Sequence, residues 1–109
     1  MKDDRIDTTF VTAMIFDVPR DDFAHISSQA QEASERVARS IPGLIESGVL
    51  GNEERTRLLI LSRWETKEAW VRSSWSIAVG EVLANLVVSS TKFDVRTYVP
   101  ISDILGPAQ

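Results

Sequence analysis

Residues Arg57 to Trp75 read RLLILSRWETKEAWVRSSW, and the fold is decided in this stretch. Four apolar residues in a row, Leu58 to Leu61, are followed by a tryptophan at Trp64. A strand apolar at every position, and not at every second one, is covered on both faces. Thr66 then offers a helix N-cap, and Glu68 puts negative charge in the first turn, where the helix dipole favours it. Ala69 and Trp70 open an apolar helical face. The reading is a buried strand from Arg57 to Trp64 that hands its last side chain to a strand-to-helix junction. The cover of the strand's second face then decides the rest.

Upstream, Gly51-Asn52-Glu53-Glu54 has hairpin-turn chemistry and joins the buried strand to another at Leu44 to Leu50, which Gly48 weakens. Before it, Ile41-Pro42-Gly43 stops a long helix that Asp21 caps and that runs to about Arg39. Phe23, Ile26, Ala30, Ala33 and Val37 step along that helix by three and four, a single apolar stripe. Phe10 to Val18 reads as the first strand, closed by Pro19. Its alternation sets Phe10, Thr12, Met14 and Phe16 on one face and Val11, Ala13 and Ile15 on the other. Downstream, a short helix spans Lys67 to Ser74 and a second helical piece Val79 to Val88. The last strand, Lys92 to Val99, is apolar on one side only, with Lys92, Asp94, Arg96 and Tyr98 on the other. Residues 1–8 read as a polar leader, 9–100 as one domain and 101–109 as a tail.

The order β-α-β-β-α-β is that of the ferredoxin-like α+β fold, an antiparallel sheet with its helices on one face. Its other face would show Val11, Ala13, Ile15, Leu59 and Leu61 to water, a patch large enough to need a partner. A homodimer through the sheet face is the economical cover. Composition narrows the remaining choices. A net charge of −4 with scattered basic residues argues against nucleic acid. The absence of cysteine removes disulfide and thiol chemistry and favours a reducing compartment, so a cytoplasmic protein is expected. No apolar run approaches a membrane span.

Three pieces of text, Asp17-Val18-Pro19, Pro42-Gly43-Leu44 and LLILSRWETKEAW at Leu58 to Trp70, resemble the antibiotic biosynthesis monooxygenase family of dimeric α/β barrels. The resemblance covers about Phe10 to Val99. It implies a cofactor-free monooxygenase in which an electron-rich quinol or anthrone anion itself reduces dioxygen. The protein then supplies an apolar slot, a route for one proton and dipoles that hold the anion. The family's pockets lie between helices and sheet and use the strand-end tryptophan, here Trp64. The asparagine often found four residues before it is Ile60 here. Haem-degrading relatives carry an asparagine where this chain has Met14 and a histidine where it has Ser73 and Ser74, so no haem or other cofactor is expected.

Each candidate residue has a plainer alternative. Trp64 would wall the pocket and give its indole N–H to a bound oxygen, or would be a packing tryptophan. Met14, Phe16 and Ile60 share its sheet face and would line the same cavity, or be core beneath the helices. Trp75, at the break between helical pieces, would act as a lid or plug the end of the domain. Arg96 and Tyr98 would hold a phenolate if their face meets the pocket, or keep an edge strand charged against aggregation. His25 is off the apolar stripe and reads as a surface residue, and Asp17 borders the turn before Pro19. No metal site is indicated. The sequence thus leaves an oxygenase acting on a small aromatic ligand beside a non-catalytic dimeric barrel that binds a hydrophobic ligand or serves as an interaction module.

Overall fold

A computed structural model describes residues 10–73 and 84–105. Strand β1 is Phe10–Asp17, helix α1 Phe23–Ala38, β2 Leu44–Gly51, β3 Arg57–Trp64 and helix α2 Lys67–Ser73. Residues 84–89 form helix α3, followed by β4, Lys92–Tyr98, and a short helix α4, Ile101–Leu105. The four strands make one antiparallel sheet in the order β2-β3-β1-β4. The run Leu58 to Leu61 therefore sits in a central strand, as its unbroken apolar character requires.

Local chemistry accounts for most boundaries. Thr66 caps α2 by accepting the Ala69 N–H at 3.0 Å. The β2–β3 turn is held by Asn52, whose Oδ1 accepts the N–H groups of Thr56 and Arg57, both at 2.9 Å. Arg55 takes the left-handed conformation there, with φ 63°. Helix α1 starts later than the sequence predicts. The Asp22 N–H bonds back to Pro19 O, and that of Phe23 to Arg20 O, so Arg20–Asp22 form a 3-10 turn and Asp21 caps nothing.

The register sorts every strand residue to one face of the sheet. Towards the helices point Phe16 and Leu58, then Met14 and Ile60, then Thr12 and Ser62, then Phe10 and Trp64. Ile26 and Ala30 of α1 and Leu86 of α3 close over Phe16, Leu58 and Ile60, and this cluster is the core. The first part of the helical piece predicted from Val79 to Val88, residues 79–83, lies outside the described residues. On the open face Leu61 is 40% and Leu50 55% exposed, whereas Val11, Ile15 and Leu59 are half-buried. Ala13, expected in water, is buried: its small side chain lies in the row between Leu61 and Arg96.

At the far end of that face, Arg57 Nε donates to Asp17 Oδ1 at 2.7 Å. This bond holds the Asp17 carboxyl below the usual carboxylate range, which makes it a poor base. A carboxyl whose pKa falls on folding adds stability above its unfolded value, about 3.9, and loses it as pH falls through the folded one. Asp17→Asn should therefore lower the melting temperature at neutral pH, and the gap to the parent should close below the carboxylate range. A gap that persists in acid would show that the contact acts through geometry and not through charge.

Candidate functional site

Trp64 ends β3 and is 5% exposed, packed with Phe10 and Ala69 and against Ile41, Leu44 and Trp70. The rings of Phe10 and Trp70 stand 5.4 Å apart in the same cluster. The indole Nε1 donates to Thr12 Oγ1 at 3.0 Å, inside the protein. That N–H is already committed, and reaching a bound oxygen would require breaking the bond. Thr12 was open to detection in the sequence, as the one polar residue on the apolar face of Phe10, Met14 and Phe16.

Thr12 belongs to a row of hydroxyls that crosses the helix side of the sheet. Ser62 pairs with it on β3, Thr97 on β4, and Ser47 extends the row to β2. Ser34 of α1 donates to Ser47 at 2.9 Å, and Ser47 lies 3.1 Å from Ser62 Oγ. Thr12 and Ser62 are buried, as hydroxyls are when they have partners. Strand periodicity places each of these residues, but their alignment depends on the register between strands.

The other candidates divide. Phe16 and Ile60 are sealed in the core cluster. Met14 is half-buried beside its β4 neighbour Val95. On β4 the helix-side residues stay open: Phe93 is 37% and Val95 38% exposed, and Thr97 is exposed as well. Met14, Phe93, Val95 and Thr97 thus form an apolar shelf with one hydroxyl at its end, and Phe16 backs it with its ring 5.0 Å from that of Phe93. No titratable side chain lies on the helix face of the described sheet.

Arg96 and Tyr98 lie on the opposite face, in the rows of Ala13 and Val11. The condition under which they would serve a pocket beside Trp64 is not met, because alternation turns them away from it. Arg96 Nε instead donates to Asp94 Oδ2 at 2.7 Å, which lowers the Asp94 pKa. Trp75 lies outside the described residues, and His25 is exposed. Among the described residues, no group of three or more His, Cys, Asp or Glu gathers as a metal site.

Among the hollows lined by described residues are three with clear walls. One, about 230 Å³, lies between α1 and α3 over Ala33 and Leu86. Another, about 490 Å³, runs along Phe23, Val49 and the β2–β3 turn. The third, about 400 Å³, is on the open face over Gly48. None of the three has Trp64 in its wall.

The profile of the antibiotic biosynthesis monooxygenases matches residues 9–91. The chain belongs to that family. Solved structures agree on the fold. A conserved protein from Methanosarcina mazei Go1 superposes with a TM-score of 0.76 at 16% identity, over 86% of this chain and 94% of that one. SnoaB, a cofactor-independent oxygenase from Streptomyces nogalater, solved as a variant with one asparagine changed to alanine, gives 0.74 at 15% identity, over 85% and 93%. Rv0793 from Mycobacterium tuberculosis gives 0.72 at 13%, over 84% and 94%. No curated protein sequence matches the chain significantly. In this antibiotic biosynthesis monooxygenase chain the expected ferredoxin-like order and antiparallel sheet are present. No described helix is long and apolar enough to cross a membrane.

Proposed function

We propose that the chain is a cofactor-independent oxygenase of its family, and that it binds a flat quinol- or anthrone-type ring on the shelf of Met14, Phe93 and Val95. The observation that carries this reading is the exposure of apolar side chains on the helix side of β4, beside a hydroxyl that can meet a ring oxygen. Thr12, which accepts the Trp64 indole N–H, is the cross-strand neighbour of Thr97 at the shelf's polar end. With an anthrone, the ring anion reduces dioxygen itself: the ring CH₂ becomes a carbonyl, one oxygen atom stays and the other leaves as water. With no titratable side chain among the described sheet residues of this face, the reading favours a substrate that ionises readily, an acidic anthrone over a simple phenol.

The same lack of a base, together with the committed indole N–H, supports a second reading, a barrel that holds a hydrophobic ligand without chemistry. In both readings two copies pack through the open sheet face, which covers Leu50 and Leu61.

Val95→Trp, which fills the shelf from an exposed edge position, tests the first reading. The parent should quench on titration with an anthrone under nitrogen and consume oxygen once air is admitted. The variant should lose at least ten-fold in both with little change in melting temperature. Quenching without oxygen uptake by the parent would leave the binding reading, and equal uptake by parent and variant would remove the shelf as the site.

A further inference from the structure

We infer that the groove between helix α1 and the β2–β3 turn binds a free α-amino acid with an apolar side chain. The site is separate from the shelf on β4, because β2 and β4 are the two edges of the sheet with β3 and β1 between them. Its volume of about 490 Å³ lies in the range of small-molecule sites, roughly 300–1,000 Å³.

The floor is apolar. Phe23 of α1 and Val49 of β2 line it, both half-buried, and the buried Leu58 closes it from below. A Cβ built on Gly51 would stand 2.7 Å from the Phe23 ring, so that ring lies directly on the end of β2 only because glycine is there. The rim carries both signs of charge. Glu53 and Arg55 of the turn line the groove together. Among the described residues neither side chain has an ion-pair or hydrogen-bond partner, whereas Arg36, Arg57, Arg63 and Arg96 each have a carboxylate. The turn that presents them is braced. Asn52 Nδ2 donates to Thr56 Oγ1 at 2.8 Å, and the Arg55 N–H donates to Asn52 O at 3.2 Å.

Floor and rim match the parts of one ligand. A guanidinium takes a carboxylate through two parallel hydrogen bonds, and a carboxylate takes an ammonium. An α-amino acid carries both head groups on one carbon, and its apolar side chain can then cover Phe23 and Val49. A simple carboxylic acid would satisfy Arg55 and be repelled by Glu53, and a simple amine would meet the reverse. Gln31, exposed on the α1 side of the groove, adds an amide that can bond either head group.

L-Leucine titrated into the full chain, followed by backbone amide NMR, tests the site. It should saturably shift the amides of Ser27, Gly51 and Arg55. Leucinamide, which lacks the carboxylate, and isocaproate, which lacks the ammonium, should each bind about ten-fold more weakly, the loss of one charge-assisted hydrogen bond. Arg55→Gly and Glu53→Gln should weaken L-leucine to a similar degree. The melting temperature of Arg55→Gly should be no lower than the parent's, because glycine adopts φ 63° without strain, so its lost affinity would not come from unfolding. No saturable shift with L-leucine overturns the site. Equal binding of the three compounds, or parent-like affinity in both variants, would leave a plain apolar groove and overturn the assignment to an amino acid. Shifts confined to Met14, Phe93 and Val95 would put the ligand on the β4 shelf and overturn it as well.

Discussion

Gly43→Ala is expected to destabilise the domain by about 2–5 kcal/mol, a large share of what holds a single domain of this size together. Gly43 has φ 85°, where an L-residue costs about 1–2 kcal/mol. A Cβ there would also overlap the Cβ of Ala69 on α2, and overpacking of that kind adds about 1–3 kcal/mol. The position cannot relax freely. Gly43 O accepts the Glu65 N–H at 2.8 Å, which ties the turn before β2 to the start of α2. Ala69 is 4% exposed and packs against Phe10 and Trp64, so the strain enters the Trp64 cluster. Ala69→Gly should cost about 1 kcal/mol alone, as a glycine in a helix does. Combined with Gly43→Ala it should return the steric part and leave the backbone part. Urea denaturation of the four proteins measures both. Strict additivity would show that the two residues do not meet as described.

The family text Pro42-Gly43-Leu44 therefore marks a position where backbone conformation and close approach both demand glycine, and a sequence can show the first demand only. The same division holds elsewhere. The run Leu58 to Leu61 announces a central strand because its apolar character does not alternate, although only Leu58 and Ile60 are buried and Leu61 is 40% exposed. Thr66 announces the start of α2 because a cap is a local bond. The 3-10 turn at Arg20–Asp22 is less visible, since Asp21 has the chemistry of a cap and the backbone spends its first donors otherwise.

The site was legible only by face. Alternation correctly groups Met14, Phe16, Ile60 and Trp64, yet Phe16 and Ile60 are sealed under α1 and α3 while Met14 borders an open edge. That difference comes from where the helices end over the sheet, a tertiary fact that leaves no trace in strand periodicity. Arg96 and Tyr98 show the converse: their polarity suggests a site, and their register puts them on the face opposite Trp64.

Trp64→Phe and Thr12→Val should each be destabilising, and together less so than their sum. Trp64→Phe leaves the Thr12 hydroxyl buried without its donor, at about 1–3 kcal/mol, and adds roughly 1–2 kcal/mol for the lost ring volume. Thr12→Val keeps the shape and strands the indole N–H, at about 1–3 kcal/mol. In the double variant neither polar group remains to be orphaned, so a coupling of about 1–2 kcal/mol is expected from urea denaturation. The pair also separates the two roles open to Trp64. A tryptophan that packs the sheet end and anchors Thr12 leaves anthrone affinity within about three-fold in the folded protein of both single variants, well under the ten-fold that 1.4 kcal/mol represents. A tryptophan that donates to the ligand behaves differently. Thr12→Val would then free the N–H and tighten binding, while Trp64→Phe would weaken it ten-fold or more. Because the indole is buried and already bonded, the first pattern is the expected one, and opposite shifts in the two variants would refute it.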